Sequence, residues 1–423
     1  MTIPKNESIL IIGAGVFGLS TALELTKRGY TNITVLDRHV PPVADGSSVD
    51  ISRIIRADYA DPVYAQMALE AYKGWTSTYS DFYYESGFIL LAETPHSYVQ
   101  KSKENIINKG GKVDEFSNIK EMNCLYSGIE GDIPCQGYHN PVGGWADAGG
   151  SIGRLATECS LAGVSFVTGR RGTVHSLRKE SNRVVGVNLV NGTHLLASQV
   201  FLATGAWSTR LLDLTHTAAS SGQPVGFIQL TPSEAAKFAK TPVMINMTKG
   251  VFSFPPTPGT NILKLARHGY GFATEVTSEA TGETISGPRR DSSNAASGYI
   301  PDDADQALRD GLKQLFPSLA DRPWSNRRLC WYTDTPTGDF IIDQHPSLEG
   351  LFVATGGAGH AFKFLPVLGK YIVDCFENRA PSELREKWKL KASSKQDGPL
   401  MLGDGSRGGP PLRKLSALEQ SKL

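Results

Sequence analysis

A short apolar run, Ser8-Ile9-Leu10-Ile11-Ile12, leads straight into Gly13-Ala14-Gly15-Val16-Phe17-Gly18, and a helical pattern follows from Leu19 to Gly29. Ile33-Thr34-Val35-Leu36 is a second apolar run, and Asp37 stands at its end. Strand, glycine turn, helix, strand and acid, in that order, predict a βαβ unit that binds a dinucleotide. Each glycine has a separate task. Gly13 permits the tight turn, Gly15 lets the backbone approach a pyrophosphate, and Gly18 lets helix and strand pack closely. The helix N-terminus, with Ala14, Val16 and Phe17 in the turn, offers free N–H groups and a partial positive charge to phosphates. Asp37 is placed to accept hydrogen bonds from ribose hydroxyls and to repel a 2′-phosphate.

Two more strand-to-glycine junctions follow far along the chain. Val200-Phe201-Leu202-Ala203-Thr204-Gly205-Ala206-Trp207 is one, and Gly350–His360, with a helix from about Pro366, is the other. Between them lie short strands such as Gly87–Leu91, a helical stretch from Ala148 to Leu161, and a hairpin turned by Asn191-Gly192. The economical arrangement is α/β: a Rossmann-like nucleotide-binding domain built from the discontinuous segments 1–85, 148–220 and 326–392. An α+β substrate domain with an antiparallel sheet is expected from 86–147 and 221–325. Residues 393–423, rich in Gly, Pro, Ser and charge, read as an exposed flexible tail.

With 43 basic against 42 acidic residues in 423, the net charge is +1, which argues against broad nucleic-acid binding. No run approaches ~18 apolar residues, so no membrane helix is expected. Five scattered cysteines without a CxxC pair or Cys/His spacing speak against a disulfide scaffold and against a metal site. The apolar run near the start reads as a strand rather than a signal peptide. The terminal Ser421-Lys422-Leu423 matches the tripeptide read by the peroxisomal import receptor, which predicts a peroxisomal protein.

Four stretches carry a family resemblance: IIGAGVFGLSTALELTKRG, SSVDISRIIRADYADPVYAQMALEAYKGW, LCWYTDTPTGDFIIDQHP and FVATGGAGHAFKFLPVLGK. Over roughly residues 8–380 the chain resembles the monomeric sarcosine oxidase branch of the D-amino-acid oxidase superfamily of flavoproteins. That branch includes fungal saccharopine and pipecolate oxidases and fructosyl amino acid oxidases. The resemblance implies a monomer that binds FAD and uses it to oxidise the C–N bond of a secondary amine amino acid to an imine, with O2 reduced to hydrogen peroxide. SSVDISRIIRADYADP is most similar to the saccharopine/pipecolate type, with fructosyl amino acid oxidase as runner-up and an oxidase of N-methyl or cyclic amino acids third. The glycine motif alone leaves open an NAD-dependent dehydrogenase or a non-catalytic FAD-binding protein.

The resemblance also implies roles. Cys330 would be joined to the 8α carbon of the flavin by a thioether, with a cation such as Arg327 or Arg328 assisting the thiolate. Arg53 and Arg56, three apart and expected to share a face on a helical turn, would lie at the flavin. There Arg56 would grip the substrate carboxylate and Arg53 would act electrostatically beside the ring. Bacterial sarcosine oxidases carry a histidine where Val49 stands. Lys363, flanked by Phe362 and Phe364, would be the second carboxylate ligand and would also approach the cofactor. Gly356, Gly357 and Gly359 would wrap the pyrimidine end of the flavin, and Arg38, Ser48, Ala203, Gly205 and Trp207 complete the cofactor set. Lys264 would activate oxygen by stabilising the superoxide anion, and His268 would line the substrate cavity. Arg267 and the Arg289-Arg290 pair are candidates for a basic entrance.

Overall fold

In the computed structural model, which describes residues 3–289, 297–391 and 403–423, the opening βαβ unit is formed by Ile9–Ile12 (β1), Val16–Lys27 (α1) and Ile33–Leu36 (β2). β1 runs parallel to β2 on one side and to Gln199–Leu202 on the other. All four β1 residues are buried, as an unbroken apolar run requires of a strand covered on both faces. The sheet has six strands in the order Ile341–Gln344, Leu351–Thr355, Gln199–Leu202, β1, β2, Ser165–Val167. Leu351–Thr355 is parallel to Gln199–Leu202, so the three glycine junctions that follow β1, Gln199–Leu202 and Leu351–Thr355 emerge at one edge of one sheet. Helix α1 packs against the helix Leu365–Phe376; a Cβ on Gly369 would stand 2.1 Å from the Ser20 carbonyl, which requires glycine there.

The second layer is a mostly antiparallel sheet of ten strands. Its core is Ala219–Gln229, Ile262–Arg267, Val251–Ser253, Val243–Asn246 and Phe88–Ala92. The strand Asn326–Asp334, expected with the nucleotide-binding segments, hydrogen-bonds along its whole length to Ala219–Phe227 in this sheet. Cys330 therefore reaches the interior from the substrate side.

Two further expectations change. Arg53 and Arg56 do not share a helical turn. Arg53–Ile55 is a strand (β3) paired with Gly144–Ala146, as the β-branched Ile54-Ile55 pair favours, and Arg56 follows it with a separate direction. Nor are residues 403–423 an exposed linker. Arg413–Lys414 adds a strand beside Phe272–Ala273, Ala417–Ser421 is a short helix, and Leu415 and Leu423 are buried. Composition suggested solvent, but the partners are distant: Arg413 pairs with Asp303 as well as Glu419, and Arg407 pairs with buried Asp334. The stretch 393–402 and Arg290 lie outside the described residues.

Candidate active site

The converging glycine junctions open onto two cavities that share Val16, Phe17, Ser47, Ser48, Gly205 and Ala206 as walls, so they are parts of one elongated space. The first, about 910 Å³, is lined by Gly13, Ala14, Gly15, Asp37, Arg38, Ala203 and Trp207. The second, about 1220 Å³, holds Arg53, Arg56, Lys264, His268, Cys330, Gly357, Gly359 and Lys363.

The first cavity has the build of a dinucleotide cradle. Gly13 has φ +107°, and a Cβ there would stand 2.4 Å from the Ala203 carbonyl. Gly18 does not line the space; its Cβ would fall 1.9 Å from the Gly13 carbonyl, so it serves helix–strand packing. Val16 N–H donates to Ser48 Oγ at 2.9 Å, which fixes the wall opposite Gly15. Asp37 is half-buried and accepts from the backbone N–H of Ala14 at 2.7 Å and of Arg38 at 2.6 Å. Burial pushes its carboxyl up, opposed by these donors. Arg38 forks onto Asp45 at 2.8 and 3.0 Å and lies 4.5 Å above the Trp207 ring. Gly356, by contrast, lines neither cavity. It turns the chain at φ +72°, packed against Thr335 and Ile341.

In the second cavity the cations have distinct surroundings. Arg56 is enclosed by the rings of Tyr59, Phe88 and Tyr98, at 4.9, 5.4 and 5.7 Å. Its Nη2 donates to Tyr98 Oη at 3.1 Å, while Nη1 is buried with no partner among the described residues. A buried guanidinium N–H without an acceptor is costly, and a ligand carboxylate would satisfy it. Lys363 donates to the His360 carbonyl at 3.0 Å, and its ring neighbours are Tyr59 and Phe364. Phe362, expected beside it, packs on Trp75 instead. Burial, then the nearby Arg56, pull the Lys363 ammonium well below its usual range, so an incoming anion would stabilise its charge.

Lys264 and Arg53 converge on a residue that the motif reading passed over. Asp50 Oδ2 accepts from Arg53 at 2.6 Å, from Lys264 at 2.9 Å and from Arg328 at 2.9 Å, all in the interior. Burial alone would raise the Asp50 carboxyl, but Lys264, Arg328 and Arg53 hold it far below the usual carboxylate range. Burial lowers Lys264 to about 7 in spite of Asp50. Its ammonium also donates to the Ser52 carbonyl at 2.7 Å.

The cation beside Cys330 differs from the two anticipated. Arg327 turns away to Asp305 at 2.9 Å, and Arg328 is held by Asp50. Arg53 is the neighbour, its Nη2 3.5 Å from Cys330 Sγ. His268 is half-buried on the cavity wall, and desolvation, then Arg407, Arg56, His360 and Lys363, hold its imidazole well below its usual range, hence neutral. Arg267 lines the cavity and donates to the Lys249 carbonyl at 3.0 Å, whereas Arg289 reaches the Gln420 carbonyl at 2.9 Å. Asp404 and Ser406 of the C-terminal segment also stand on the cavity wall; no local signal in a Gly/Pro/Ser-rich stretch marks them.

A glycine-lined cradle, a buried arginine with one Nη unpaired among the described residues, and a thiol lie on one continuous space, and these residues would hold FAD. Comparison with known proteins agrees. The family model for FAD dependent oxidoreductases matches residues 8–375. The L-saccharopine oxidase of Schizosaccharomyces pombe is 32% identical over 408 residues, covering 91% of this chain and 92% of that one. A monomeric sarcosine oxidase from Bacillus sp. is 24% identical over 371 residues, covering 86% of this chain and 90% of that one. Among solved structures, the fructosamine oxidase Amadoriase II of Aspergillus fumigatus superposes with a TM-score of 0.86 at 30% identity, over 97% of this chain and 96% of that one. The junctions at one sheet edge, the elongated cavity and the matched sequence lead to one conclusion: the chain belongs to the family of FAD-dependent oxidoreductases.

Proposed function

We propose that the protein is an oxidase of a secondary amine amino acid, of the saccharopine or pipecolate type, that delivers the electrons to O2 and releases hydrogen peroxide. The observation that carries this reading is Arg56, whose buried Nη1 has no acceptor among the described residues, beside Lys363 in the cavity that also holds Lys264, His268 and Cys330. FAD, when bound, supplies the two-electron acceptor. The chain's own side chains do the rest. Arg56 and Lys363 grip the substrate carboxylate and so fix the C–H bond in one orientation; positioning of this kind supplies much of an enzyme's rate gain. Neutral His268 faces the amine without adding a like charge. Lys264 offers a positive charge where superoxide develops. Cys330, with the Arg53 guanidinium 3.5 Å from its sulfur, would hold the cofactor by a thioether.

The saccharopine type is favoured by SSVDISRIIRADYADP and by the 32% identity to the Schizosaccharomyces pombe L-saccharopine oxidase. Fructosyl amino acid oxidation is the second reading, favoured by the likeness to Amadoriase II. Nucleotide-binding segments 1–85, 148–220 and 326–392 with a substrate part formed by 86–147 and 221–325 is the proposed division; the pairing of Asn326–Asp334 with Ala219–Phe227 favours moving that strand to the substrate part, and Arg53–Ile55 and Tyr83–Glu85 pair with Gly144–Ala146 across the boundary. A monomer is in keeping with the monomeric sarcosine oxidase relative. Peroxisomal residence rests on Ser421-Lys422-Leu423. Ser421 and Lys422 are exposed but Leu423 is buried, so receptor capture requires the last turn to come free.

The test is peroxide release from saccharopine, pipecolate, sarcosine and a fructosyl amino acid, paired with acid precipitation of the yellow protein. Peroxide from saccharopine or pipecolate, with the colour in the pellet, is expected. No peroxide from any of the four removes the oxidase reading for these substrates, and colour released wholly into the supernatant removes the thioether.

A further inference from the structure

We propose that Ser406, carried on the C-terminal segment, is a positioning residue for His268: it holds the imidazole with its proton on Nε2 and leaves Nδ1 as the acceptor offered to the substrate amine. This deepens the amine-oxidase reading and rests on it.

Ser406 Oγ has one proton. It is committed to Asp404 Oδ1, which also accepts the Ser406 backbone N–H at 3.0 Å. The second contact of the same hydroxyl, His268 Nε2 at 3.0 Å, must then be a bond that the hydroxyl accepts. Nε2 therefore carries a hydrogen. Because burial and the charges of Arg407, Arg56 and Lys363 keep the ring from taking a second proton, Nδ1 is left with a free lone pair. Nδ1 makes no hydrogen bond among the described residues, and it is not sealed from the cavity that His268 lines. The Tyr332 ring meets His268 edge-on at 5.8 Å between centroids and limits its rotation. A secondary amine must be neutral to lose hydride, and in that form it has one N–H to donate; an imidazole acceptor that takes this N–H points the amine lone pair elsewhere.

The register of Ser406 is fixed from both sides. Gly408 N–H donates to the His268 carbonyl at 3.1 Å. Arg407 donates to the Gly269 carbonyl at 2.9 Å and the Ala358 carbonyl at 3.1 Å, and its guanidinium pairs with buried Asp334. The segment is thus tied to the histidine's own strand end, to the glycine loop 356–359 and to the strand bearing Cys330.

A proton–nitrogen correlation spectrum of the holoenzyme carrying isotopically labelled histidine, at neutral pH, reads the tautomer directly, with H268Q identifying the signals. A proton on Nε2 in the wild type, kept in S406T and lost or moved to Nδ1 in S406A, is expected. A wild-type proton on Nδ1, a doubly protonated ring, or an unchanged tautomer in S406A overturns the proposal; the first two outcomes need no variant to fold. Steady-state kinetics supply a second readout. In S406A the KM of the amine substrate should rise about fivefold, the worth of one hydrogen bond. The Ki of its thioether analogue, which has no N–H, should stay unchanged. Equal weakening of both overturns the proposal. The tautomer is measured whether or not any amine is turned over, so a failed oxidase reading and a failed tautomer are told apart.

Discussion

Lys264 Nζ lies 2.9 Å from Asp50 Oδ2, with both side chains almost wholly buried. Arg53 and Arg328 share the same carboxylate oxygen, so one anion sits among three cations. The carboxylate opposes the drop in Lys264 that burial causes. The ammonium is the form that stabilises superoxide, and it is lost as pH rises through about 7. In D50N that support disappears. The limb of the oxygen half-reaction that falls with rising pH should shift to lower pH by at least about one unit. The reductive half-reaction, for which Arg56 and Lys363 are the proposed substrate ligands, should shift less. Stopped-flow rates of the two half-reactions across pH check this, and an oxygen-limb midpoint identical to the wild type's refutes it.

Arg56 and Lys363 are assigned to the same carboxylate. R56Q keeps a polar side chain in the ring box but loses the charge and the fork. The KM for the amino acid should rise by about one to two powers of ten, the cost of a charge-assisted hydrogen bond being roughly 1.5–3 kcal/mol. The decarboxylated amine should be handled equally by wild type and variant. A ratio of the two substrates that does not change in R56Q excludes the assignment.

Cys330 to alanine tests the tether apart from binding. The cradle of Gly13, Gly15 and Asp37 does not involve the sulfur, so C330A should still purify yellow. Its flavin should leave the protein on acid precipitation, whereas the wild-type flavin should stay. R53M should give an intermediate result, with part of the flavin extractable, because the cation 3.5 Å from the sulfur is gone.

Gly18→Ala would place a methyl group 1.9 Å from the Gly13 carbonyl, a backbone atom that cannot rotate away. The helix must then move off the strand. A loss of at least about 2–3 kcal/mol, in the range of overpacked cores, is expected, together with loss of bound FAD. Gly29→Ala, at a site where a Cβ meets nothing, is the contrast; there only the positive φ of 85° opposes the change. Thermal melts with and without added FAD separate the two.

Asp334 and Arg407 form a buried pair whose disruption leaves a charge without its partner, a change worth about 3–5 kcal/mol. R407M should free the C-terminal segment. Limited proteolysis should then cleave near residues 403–423 in the variant and spare the wild type. Equal cleavage rates would mean that the pair does not hold the segment down.

The nucleotide-binding half was legible because its signals are local. A buried parallel strand writes itself as an apolar run, a backbone that must approach a phosphate writes itself as glycine, and helix and strand periods differ. The motif residues Arg53, Arg56, Lys264, Cys330 and Lys363 could be named from stretches of sequence, and they line one cavity. What they touch could not be named. That Lys264 and Arg328 join Arg53 on Asp50, that Arg53 rather than Arg327 or Arg328 reaches the sulfur, and that Ser406 meets His268 all depend on residues more than a hundred positions apart. The tail was misread for the same reason. Its Gly, Pro and Ser content describes how the chain behaves when unpartnered, while Leu415, Leu423, Arg407 and Arg413 find partners only once the sheet and the helix Asp302–Leu315 are in place. Sequence alone set the backbone geometry around the cofactor, since steric and hydrogen-bonding demands act within a few residues. The tertiary fold decided the electrostatics of the chemistry, since charge interactions act through space and are set by which distant side chains share a buried pocket.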